Sequence, residues 1–322
     1  MQALTNPPRI SIIIAVKNGA KHLQYAFDSI RNQQYPNLEI IVMDGLSTDN
    51  TLDIINANQD IITITKSQQD QSHGDACNQA RELVTGDMVT YCNADDWYEN
   101  NILWDIASAY QQDPSLDVIT CGGRIARENA AGQLDDILVF KKPETLALTL
   151  SNICEGVSAI CCRFFTRRLW DKLGYYEKVT GKDKCHYTTD KELLIRYYLA
   201  NPKALVISKI GYTYLSHAGS TTFAADKNAT PRIYQEHLYW AKHYAEQYRD
   251  NGEIYRYMRA WYLKMLVKQV IYSIKNKNFG KVFSKDMLQQ IKAFPFGFMQ
   301  YLLTVWYWLP MSMYGNHKNI NR

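Results

Sequence analysis

Short apolar runs alternate with helix-length amphipathic segments over the first 120 residues of the chain. The runs are rich in β-branched residues and are bounded by polar ones, as in strands buried on both faces of a parallel sheet. They occupy residues 9–16, 38–44, 60–66, 87–93 and 117–123. The segments between them, predicted as helices, cover residues 20–33, 48–58, 73–84 and 99–111. This alternation predicts an α/β fold: a mostly parallel, Rossmann-like sheet with right-handed crossovers, flanked by helices.

The pattern changes further along the chain. Residues 124–225 mix a polar loop, a helix near 143–150, an apolar run over 158–165 and a helix near 190–200. From residue 229 onward, long helices rich in Tyr, Trp, Lys and Arg are predicted. We therefore predict a first domain over residues 1–225 and a helical C-terminal extension over residues 226–322.

Two of the early helices carry start signals. Ser47 stands where it could cap the second helix, and "SHGD" at residues 72–75 has the spacing of a capping box at the third. A serine or aspartate at such a position accepts hydrogen bonds from the first backbone N–H groups of the helix.

Composition excludes several classes of protein. The chain is 46% hydrophobic and 21% charged, as globular proteins are, and its net charge of +4 is too small to indicate a nucleic-acid partner. Its seven cysteines are scattered without a CxxC motif, which argues against a zinc knuckle and a disulfide framework. The first residues lack the basic and apolar regions of a signal peptide. These features predict a cytoplasmic location.

Carboxylates stand where two predicted strands end. Asp44 closes the strand at 38–44, and Asp95 and Asp96 follow the strand at 87–93. Ligands bind beyond the carboxyl ends of the strands in such sheets, so these carboxylates should share one rim. Adjacent carboxylates there suit Mg²⁺ or Mn²⁺, held together with ligand phosphate oxygens. Taken alone, either segment would also fit an ordinary turn.

Four ordered motifs make the sequence resemble glycosyltransferase family 2, whose members have the GT-A fold. The motifs are "SIIIAVKN" (11–18), the Asp-Gly-x-Ser-x-Asp-x-Thr pattern of 44–51, "DQSHGDACN" (70–78) and "NADD" (93–96). The third motif matches only when its spacing is allowed to vary. The resemblance covers roughly residues 9–220.

The resemblance implies that a nucleotide-sugar donor binds along the rim. The donor-binding positions carried over from the motifs are Ala15, Lys17, Asn18, Asp44, Ser47, Asp49, Asp70, Gly74, Asp75, Asn78, Asn93 and Asp95. Asp44 would contact the base or the ribose of the nucleotide. In many family members that base is uracil. Asp95 and Asp96 would hold the divalent cation (Mn²⁺ or Mg²⁺), with Asp96 as the expected direct ligand. His217 is a third metal candidate, although a lone histidine is as often structural.

Asp190 is the candidate catalytic base. Thr189 and Glu192 have capping-box spacing, so Asp190 would lie in the first turn of a helix, where the helix dipole favours its ionised form. First-turn acids commonly do no more than complement that dipole. Family members carry their base in a similar context, downstream of a segment that "FFTRRLWDKLGYYE" (164–177) matches. The resemblance thus implies that Asp190 deprotonates the acceptor hydroxyl.

The sequence departs from the family pattern around this base. Thr189 precedes Asp190 where many relatives have an acid, and Asp183 is a second candidate for the base. Glu155, in the segment 152–160, stands where a His or Gln would be expected on the acceptor side. The acceptor therefore cannot be carried over from the family.

The C-terminal third has the pattern of a membrane-surface segment. Between Arg256 and Lys292 there are nine Lys or Arg and a single acid, interleaved with large apolar residues. Residues 293–315 contain no charge, but Gly and Pro interrupt them. This pattern predicts that residues 254–315 contact an anionic bilayer surface. Packing on the catalytic domain or on a second subunit, and a true span, are the alternatives.

With these observations, the resemblance implies an inverting, metal-dependent enzyme of the hexosyltransferase type. It would move a sugar from a UDP-sugar to a saccharide or lipid-linked acceptor in cell-surface polysaccharide synthesis, at the inner face of the cytoplasmic membrane. One alternative is a non-catalytic nucleotide-sugar-binding protein, which would not need Asp96 or Asp190. Another is a sugar nucleotidyltransferase, which would need a Gly-rich basic loop that "AVKNGAKH" (15–22) supplies poorly.

Overall fold

A computed structural model of the protein describes most of the chain. The residues it describes are 6–177, 187–217, 219–220 and 229–294. Asp183 and residues 295–315 of the predicted apolar stretch lie outside this part, so the predictions made for them are not addressed by the structure.

The chain divides into two compact units. One comprises Met1–Lys178 with Thr189–Ala224, and the other comprises Val179–Thr188 with Ala225–Arg322. The first unit holds the sheet and the predicted site residues, and the second holds the long C-terminal helices.

Within the described residues, nine strands form one sheet. They are β1 (Ile10–Val16), β2 (Leu38–Asp44), β3 (Ile64–Ser67), β4 (Met88–Tyr91), β5 (Trp97–Tyr98), β6 (Val118–Glu128), β7 (Leu134–Phe140), β8 (Arg163–Thr166) and β9 (Ala204–Leu215). The order is β3-β2-β1-β4-β8-β6-β9-β5, with β7 beside β6. Strands β3, β2, β1 and β4 are parallel, as predicted. From β8 onward antiparallel pairs enter, so the sheet is mixed.

Helices alternate with the strands of the first unit, as the sequence pattern predicts. They are α1 (Leu23–Asn32), α2 (Thr51–Ala57), α3 (His73–Ala80), α4 (Ile102–Gln112), α5 (Pro143–Leu146), α6 (Leu150–Glu155), α7 (Arg167–Leu173) and α8 (Thr189–Leu199). The second unit contains α9 (Ala229–Gln247), α10 (Gly252–Lys275), α11 (Phe279–Val282) and α12 (Lys285–Ala293).

The central strands explain why apolar runs correctly predicted buried parallel strands. Every residue of β1 is buried, since neighbouring strands lie on both sides of it and its two faces are covered. The third strand begins later than predicted, at Ile64 rather than residue 60. A turn delays it, because the backbone N–H groups of Ile61 and Ile62 both donate to the carbonyl of Asn58.

One of the two predicted helix caps is correct. Ser72 accepts a hydrogen bond from the backbone N–H of Asp75 at 3.2 Å, so it caps α3. The prediction for Ser47 was wrong: α2 begins after Asn50, which makes no side-chain cap bond. The hydroxyl of Ser47 instead accepts from the backbone N–H of Asn18 at 2.8 Å.

In the second unit, α9 and α10 pack through aromatic side chains. Trp240, Tyr244 and Trp261 are buried, and the rings of His237 and Trp261 lie 5.3 Å apart. The buried side chains of α10 are therefore taken up by packing. Between α11 and α12, by contrast, Phe283 is exposed and keeps 74% of its surface accessible. No helix in the described part of the chain combines the length and hydropathy needed to cross a bilayer.

Candidate active site at the edge of the sheet

The loops after β1, β2 and β4 form one edge, as predicted. Val16 pairs with Asp44 across β1 and β2, and the N–H of Gly45 donates to the carbonyl of Val16 at 2.8 Å. The loop after β4 lies beside the loop after β1, because a Cβ on Gly19 would be 3.5 Å from the Cβ of Ala94. Strand ends far apart in sequence are thereby brought together.

The loops after β1 and β2 are tied to each other by side chains that were predicted to bind the donor. Asn18 has a left-handed backbone (φ 54°), and its Oδ1 accepts from the N–H of Thr48 at 2.8 Å. Asp49 accepts from the N–H of Ala20 at 3.2 Å. Asn18, Ser47 and Asp49 thus shape the two loops and leave backbone groups along the edge.

Asp44 is held in place at the end of β2. Its side chain is nearly inaccessible, at 2% exposure, and accepts from the hydroxyl of Ser67 at 2.5 Å and the N–H of Ser47 at 3.2 Å. Ala15, another predicted donor-binding position, is buried in β1 opposite Met43. What Ala15 could offer a ligand is its backbone.

Lys17, Gly45 and Asp70 pack against one another beside Asp44. A Cβ on Gly45 would displace the carboxylate of Asp70 and lie 3.3 Å from Cδ of Lys17, so the three residues approach one another closely. Burial raises the pKa of Asp70, and the charge of Lys17 opposes that rise. The structure therefore brings together the ammonium of Lys17 and the carboxylates of Asp44 and Asp70, three of the predicted donor-binding positions.

The carboxylate of Asp96 is buried and fully engaged in hydrogen bonds that fix the loop after β4. Only 3% of its surface is accessible, and its oxygens accept from the N–H of Leu215 at 2.8 Å, the amide of Asn93 at 2.7 Å and the hydroxyl of Tyr212 at 3.2 Å. Burial and the charge of Asp95 raise its pKa well above the usual range. A carboxylate at a strand end can be expected to face solvent, but this one joins the turn after β4 to the end of β9.

Asp95 has a more open environment. Its side chain is 34% exposed, and one oxygen lies 2.9 Å from Nε2 of His217. The ring of His22 lies 4.5 Å from the ring of His217. His22 is buried, its two ring nitrogens lack partners among the described residues, and burial, followed by the charge of His217, lowers its pKa. No motif singled out His22.

The open pair of Asp95 and His217 suits a cation better than the anchored Asp96. Carboxylate oxygen and imidazole nitrogen are both ligands that Mn²⁺ accepts. Across the described residues, no three His, Cys, Asp or Glu side chains converge as a complete cation site. A cation here would therefore take its other ligands from phosphate oxygens and water, as Mg²⁺ commonly does.

Asp190 lies in the first turn of α8, as predicted. It is half-buried, and burial raises its pKa, while the charge of His73 and the hydroxyl of Tyr176 oppose the rise. The carboxylate of Glu192, expected to close a capping box, binds Arg196 one turn later at 2.6 Å. Neither His73 nor Tyr176 was singled out from the sequence as acting on Asp190, because both come from other elements.

Tyr176 is held beside Asp190 by two predicted donor-binding positions. The amide of Asn78 donates to the carbonyl of Tyr176 at 2.8 Å and accepts from its N–H at 2.7 Å. A Cβ on Gly74 would come within 3.0 Å of the Cβ of Tyr176, so this approach is tight as well. Asp75, the remaining member of this motif, accepts from the N–H of Gln71 at 3.1 Å.

Lys191, next to the candidate base Asp190, contacts the segment predicted on the acceptor side. Its ammonium donates to the carbonyls of Ile153, Cys154 and Gly156 at 2.7, 3.2 and 3.0 Å. These carbonyls lie at the C-terminal end of α6, where a cation complements the helix dipole. The residue next to Asp190 therefore caps the helix that contains Glu155.

A family profile decides the assignment of the chain. The profile described as Glycosyl transferase family 2 matches residues 11–173, which is more than half of the protein. The chain belongs to this family. The match spans the strands β1, β2 and β4 with the loops that carry the carboxylates, so the resemblance of the four motifs is confirmed.

Several proteins named as glycosyltransferases are moderately similar to the chain. An uncharacterised glycosyltransferase of Rickettsia typhi is 27% identical over 204 residues, 61% of each chain. A PGL/p-HBAD biosynthesis glycosyltransferase of Mycobacterium tuberculosis is 34% identical over 177 residues, 52% of this chain and 63% of the relative. The chain thus spans less than two thirds of the length of these relatives.

Solved structures share the fold of this family 2 member. S. aureus TarS 1–349 in complex with UDP-GlcNAc has a TM-score of 0.61 at 18% identity, over 90% of this chain and 80% of the other. Mannosyltransferase PcManGT from Pyrobaculum calidifontis, in complex with GDP-Man and Mn²⁺, has a TM-score of 0.54 at 15% identity, over 94% and 88%. At these identities the likeness shows the fold, which is GT-A as predicted.

Proposed function

We propose that this family 2 member is a metal-dependent glycosyltransferase that inverts the anomeric centre of a nucleotide-sugar, most simply a UDP-sugar. The observation that carries the proposal is the open pair of Asp95 and His217, 2.9 Å apart, on the edge that also holds Asp44. The proposed acceptor is a saccharide or lipid-linked hydroxyl in cell-surface polysaccharide synthesis.

Asp95 and His217 would hold the cation, and Asp96 would hold Asp95 in place. This division follows from the hydrogen bonds, because the oxygens of Asp96 already accept from three donors while Asp95 stays open. When bound, the cation would neutralise negative charge on the leaving diphosphate. The backbone groups of the β1 and β2 loops, with Lys17, would orient the nucleotide.

Asp190 would act as the base of a single displacement. Its carboxylate would take the proton of the acceptor hydroxyl while that oxygen attacks the anomeric carbon and the bond to the diphosphate oxygen breaks. A raised pKa suits this role, because a carboxylate whose pKa lies nearer the working pH is the stronger base. Lys191 would set the position of the α6 segment relative to this base.

A donor screen tests the proposal and separates the alternatives. Candidate nucleotide-sugars are incubated with acceptor saccharides, with Mn²⁺ or with chelator, and the released nucleotide product is identified. The proposed metal-dependent glycosyltransferase would release nucleoside diphosphate with the cation and not with chelator. A nucleotidyltransferase would consume nucleoside triphosphate and release pyrophosphate. A non-catalytic protein would bind a donor without turnover, and either of these results would contradict the proposal.

A further inference from the structure

The helical unit contains a cavity that the transferase chemistry does not use. Helices α9, α10 and α12, with residues directly after α9 and α12, supply its lining. Its volume is about 430 Å³, within the range of small-molecule sites. The lining residues on which the argument rests are Lys242, Glu246, Arg249, Tyr255, Lys292 and Phe294.

The cavity is positively charged. Three basic side chains face one acid, and the closest pair, Lys242 and Glu246, is separated by 3.7 Å. In the part of the chain that the structure describes, neither Arg249 nor Lys292 has a carboxylate partner. Two unpaired cations on the wall of one cavity favour an anionic ligand, and phosphate accepts several hydrogen bonds from such groups.

The apolar part of the wall is built before any ligand arrives. The ring of Phe294 packs on the buried ring of Tyr262 with 5.1 Å between centroids. The guanidinium of Arg259 lies 5.9 Å from the centroid of the Phe294 ring. The hydroxyl of Tyr262 donates to the carbonyl of Gln290 at 2.9 Å, which holds α12 against α10. A preformed wall lowers the free energy needed to order the site on binding.

The outer surface of α12 combines charge with apolar exposure. Lys285, Leu288 and Lys292 are spaced by three and four residues, so they lie on one face of the helix, and all three are exposed. Phe283, directly before the helix cap, is 74% accessible, and Leu288 is 46% accessible. Lys292 belongs both to this face and to the cavity wall, so the two features adjoin.

We propose that this cavity binds the phosphate of an anionic lipid headgroup, while Phe283 and Leu288 enter the adjoining bilayer surface. A free phosphate or a nucleotide would satisfy Arg249 and Lys292 but would leave those apolar side chains in water. A lipid satisfies both, since its phosphate is covalently attached to apolar chains. This inference goes beyond the proposed transferase function, because it uses none of the residues at the edge of the sheet.

Short-chain lipids test the cavity without a membrane. The full-length protein is titrated calorimetrically with dihexanoyl phosphatidylglycerol below its micelle concentration, with dihexanoyl phosphatidylcholine and with inorganic phosphate. We expect binding of the phosphatidylglycerol and at least tenfold weaker binding of the other two. Inorganic phosphate binding as tightly as the lipid would overturn the assignment to a lipid, and no binding of the phosphatidylglycerol would overturn the site.

Matched double variants test whether Arg249 and Lys292 bind the lipid phosphate. Arg249→Gln with Lys292→Gln removes two charges from the cavity, and Lys275→Gln with Lys277→Gln removes two exposed charges elsewhere in the same unit. We expect the cavity variant to lose at least tenfold in affinity for the short-chain phosphatidylglycerol and the control variant to keep it. Equal losses would show diffuse attraction to basic residues and contradict a defined site.

Vesicles test the apolar contact. Phe283→Ser should leave the titration with short-chain lipid unchanged, yet reduce flotation with phosphatidylglycerol vesicles severalfold. Flotation equal to that of the unchanged protein would refute the insertion of Phe283. Phe283 is largely exposed, so its replacement should not unfold the unit, and circular dichroism verifies this.

Discussion

Nε2 of His217 lies 2.9 Å from a carboxylate oxygen of Asp95, although 122 residues separate the two in sequence. The neighbouring Asp96 accounts for this approach: it accepts from the backbone N–H of Leu215, the last residue of β9. Two residues later the chain delivers His217. The two carboxylates therefore differ in their environment. Asp96 fixes the loop through its hydrogen bonds, whereas Asp95 is partly exposed and contacts His217.

The first prediction separates the two carboxylates. Asp95→Asn should weaken Mn²⁺-dependent donor binding at least tenfold and leave unfolding without ligands nearly unchanged, because its side chain is partly exposed. Asp96→Asn should destabilise the protein by about 1–3 kcal/mol, since an amide NH₂ would then face buried donors. Calorimetric donor titration and denaturant unfolding provide the two measurements. If Asp96 were the cation ligand instead, Asp96→Asn would lose Mn²⁺-dependent donor binding while its free energy of unfolding stayed nearly unchanged.

The second prediction concerns the base. Asp190→Asn should reduce turnover by about two to four orders of magnitude, because proton transfer is lost. Donor binding should persist, since the acceptor and not the donor contacts the base. Glu155→Gln, on the acceptor-side segment, is a matched removal of one carboxylate and should have a far smaller effect on turnover. Comparable losses in both variants would argue against Asp190 as the base.

The third prediction is the pH dependence of the transfer. Burial raises the pKa of Asp190 above its ordinary value of 3.8, so its ionised, basic form appears only at higher pH than for an exposed aspartate. The acid limb of kcat/KM should therefore lie above 3.8. His73→Gln removes a positive charge that opposes the rise, and should move this limb to still higher pH. A limb unaffected by His73 would show that another group controls it.

Sequence patterns predicted the parallel half of the sheet better than the rest. Strands β1, β2 and β4 are mostly apolar runs that end in or are followed by polar residues, so periodicity and position both identify them. Strand β8 lies beside β4, and β6 and β9 follow it, in an order that no local signal encodes, because such pairing depends on packing between distant segments. The predicted α/β class, with a mostly parallel sheet flanked by helices, is confirmed, but the positions of the antiparallel strands were not predicted.

The candidate active site was likewise predictable only where a local sequence pattern marked its residues. Asp44, Asp95 and Asp190 could be chosen because they end a strand, follow one in a motif, or lie in the first turn of a helix. His22 and His73 could not, since their importance comes from contacts with residues of other elements. The unequal roles of Asp95 and Asp96 also depend on β9, whose donors reach only one of the two carboxylates.

The fourth prediction concerns Lys191. Lys191→Met removes three hydrogen bonds to the end of α6 and should raise the KM for the acceptor severalfold, because that segment loses its tie to α8. Lys191→Arg retains the charge and should restore part of the affinity. Donor hydrolysis without acceptor should be unchanged in both. An equal fall of acceptor transfer and donor hydrolysis would indicate general loss of structure instead.

The last prediction tests a buried carboxylate below the sheet edge. Glu39 on β2 is 1% exposed, and its oxygens accept from the hydroxyl of Ser11 at 2.5 Å and from the N–H and hydroxyl of Thr85 at 2.7 and 2.6 Å. Burial alone would raise its pKa, but these bonds and Arg9 outweigh burial and lower it below 4.5. The folded state therefore binds the proton less readily than the unfolded state does.

The sign of the pH effect follows from that lowered pKa. The stability that Glu39 contributes is present above pH 4.5 and is lost as pH falls through the folded-state pKa. Glu39→Gln should thus lower the free energy of unfolding by about 1–3 kcal/mol at neutral pH, with a smaller difference in acid. Urea unfolding at several pH values measures this, with the exposed Asp53→Asn on α2 as the control. A loss of stability that stays constant as pH falls would show that shape, and not the charge of Glu39, stabilises the contact between β2 and the segment before β4.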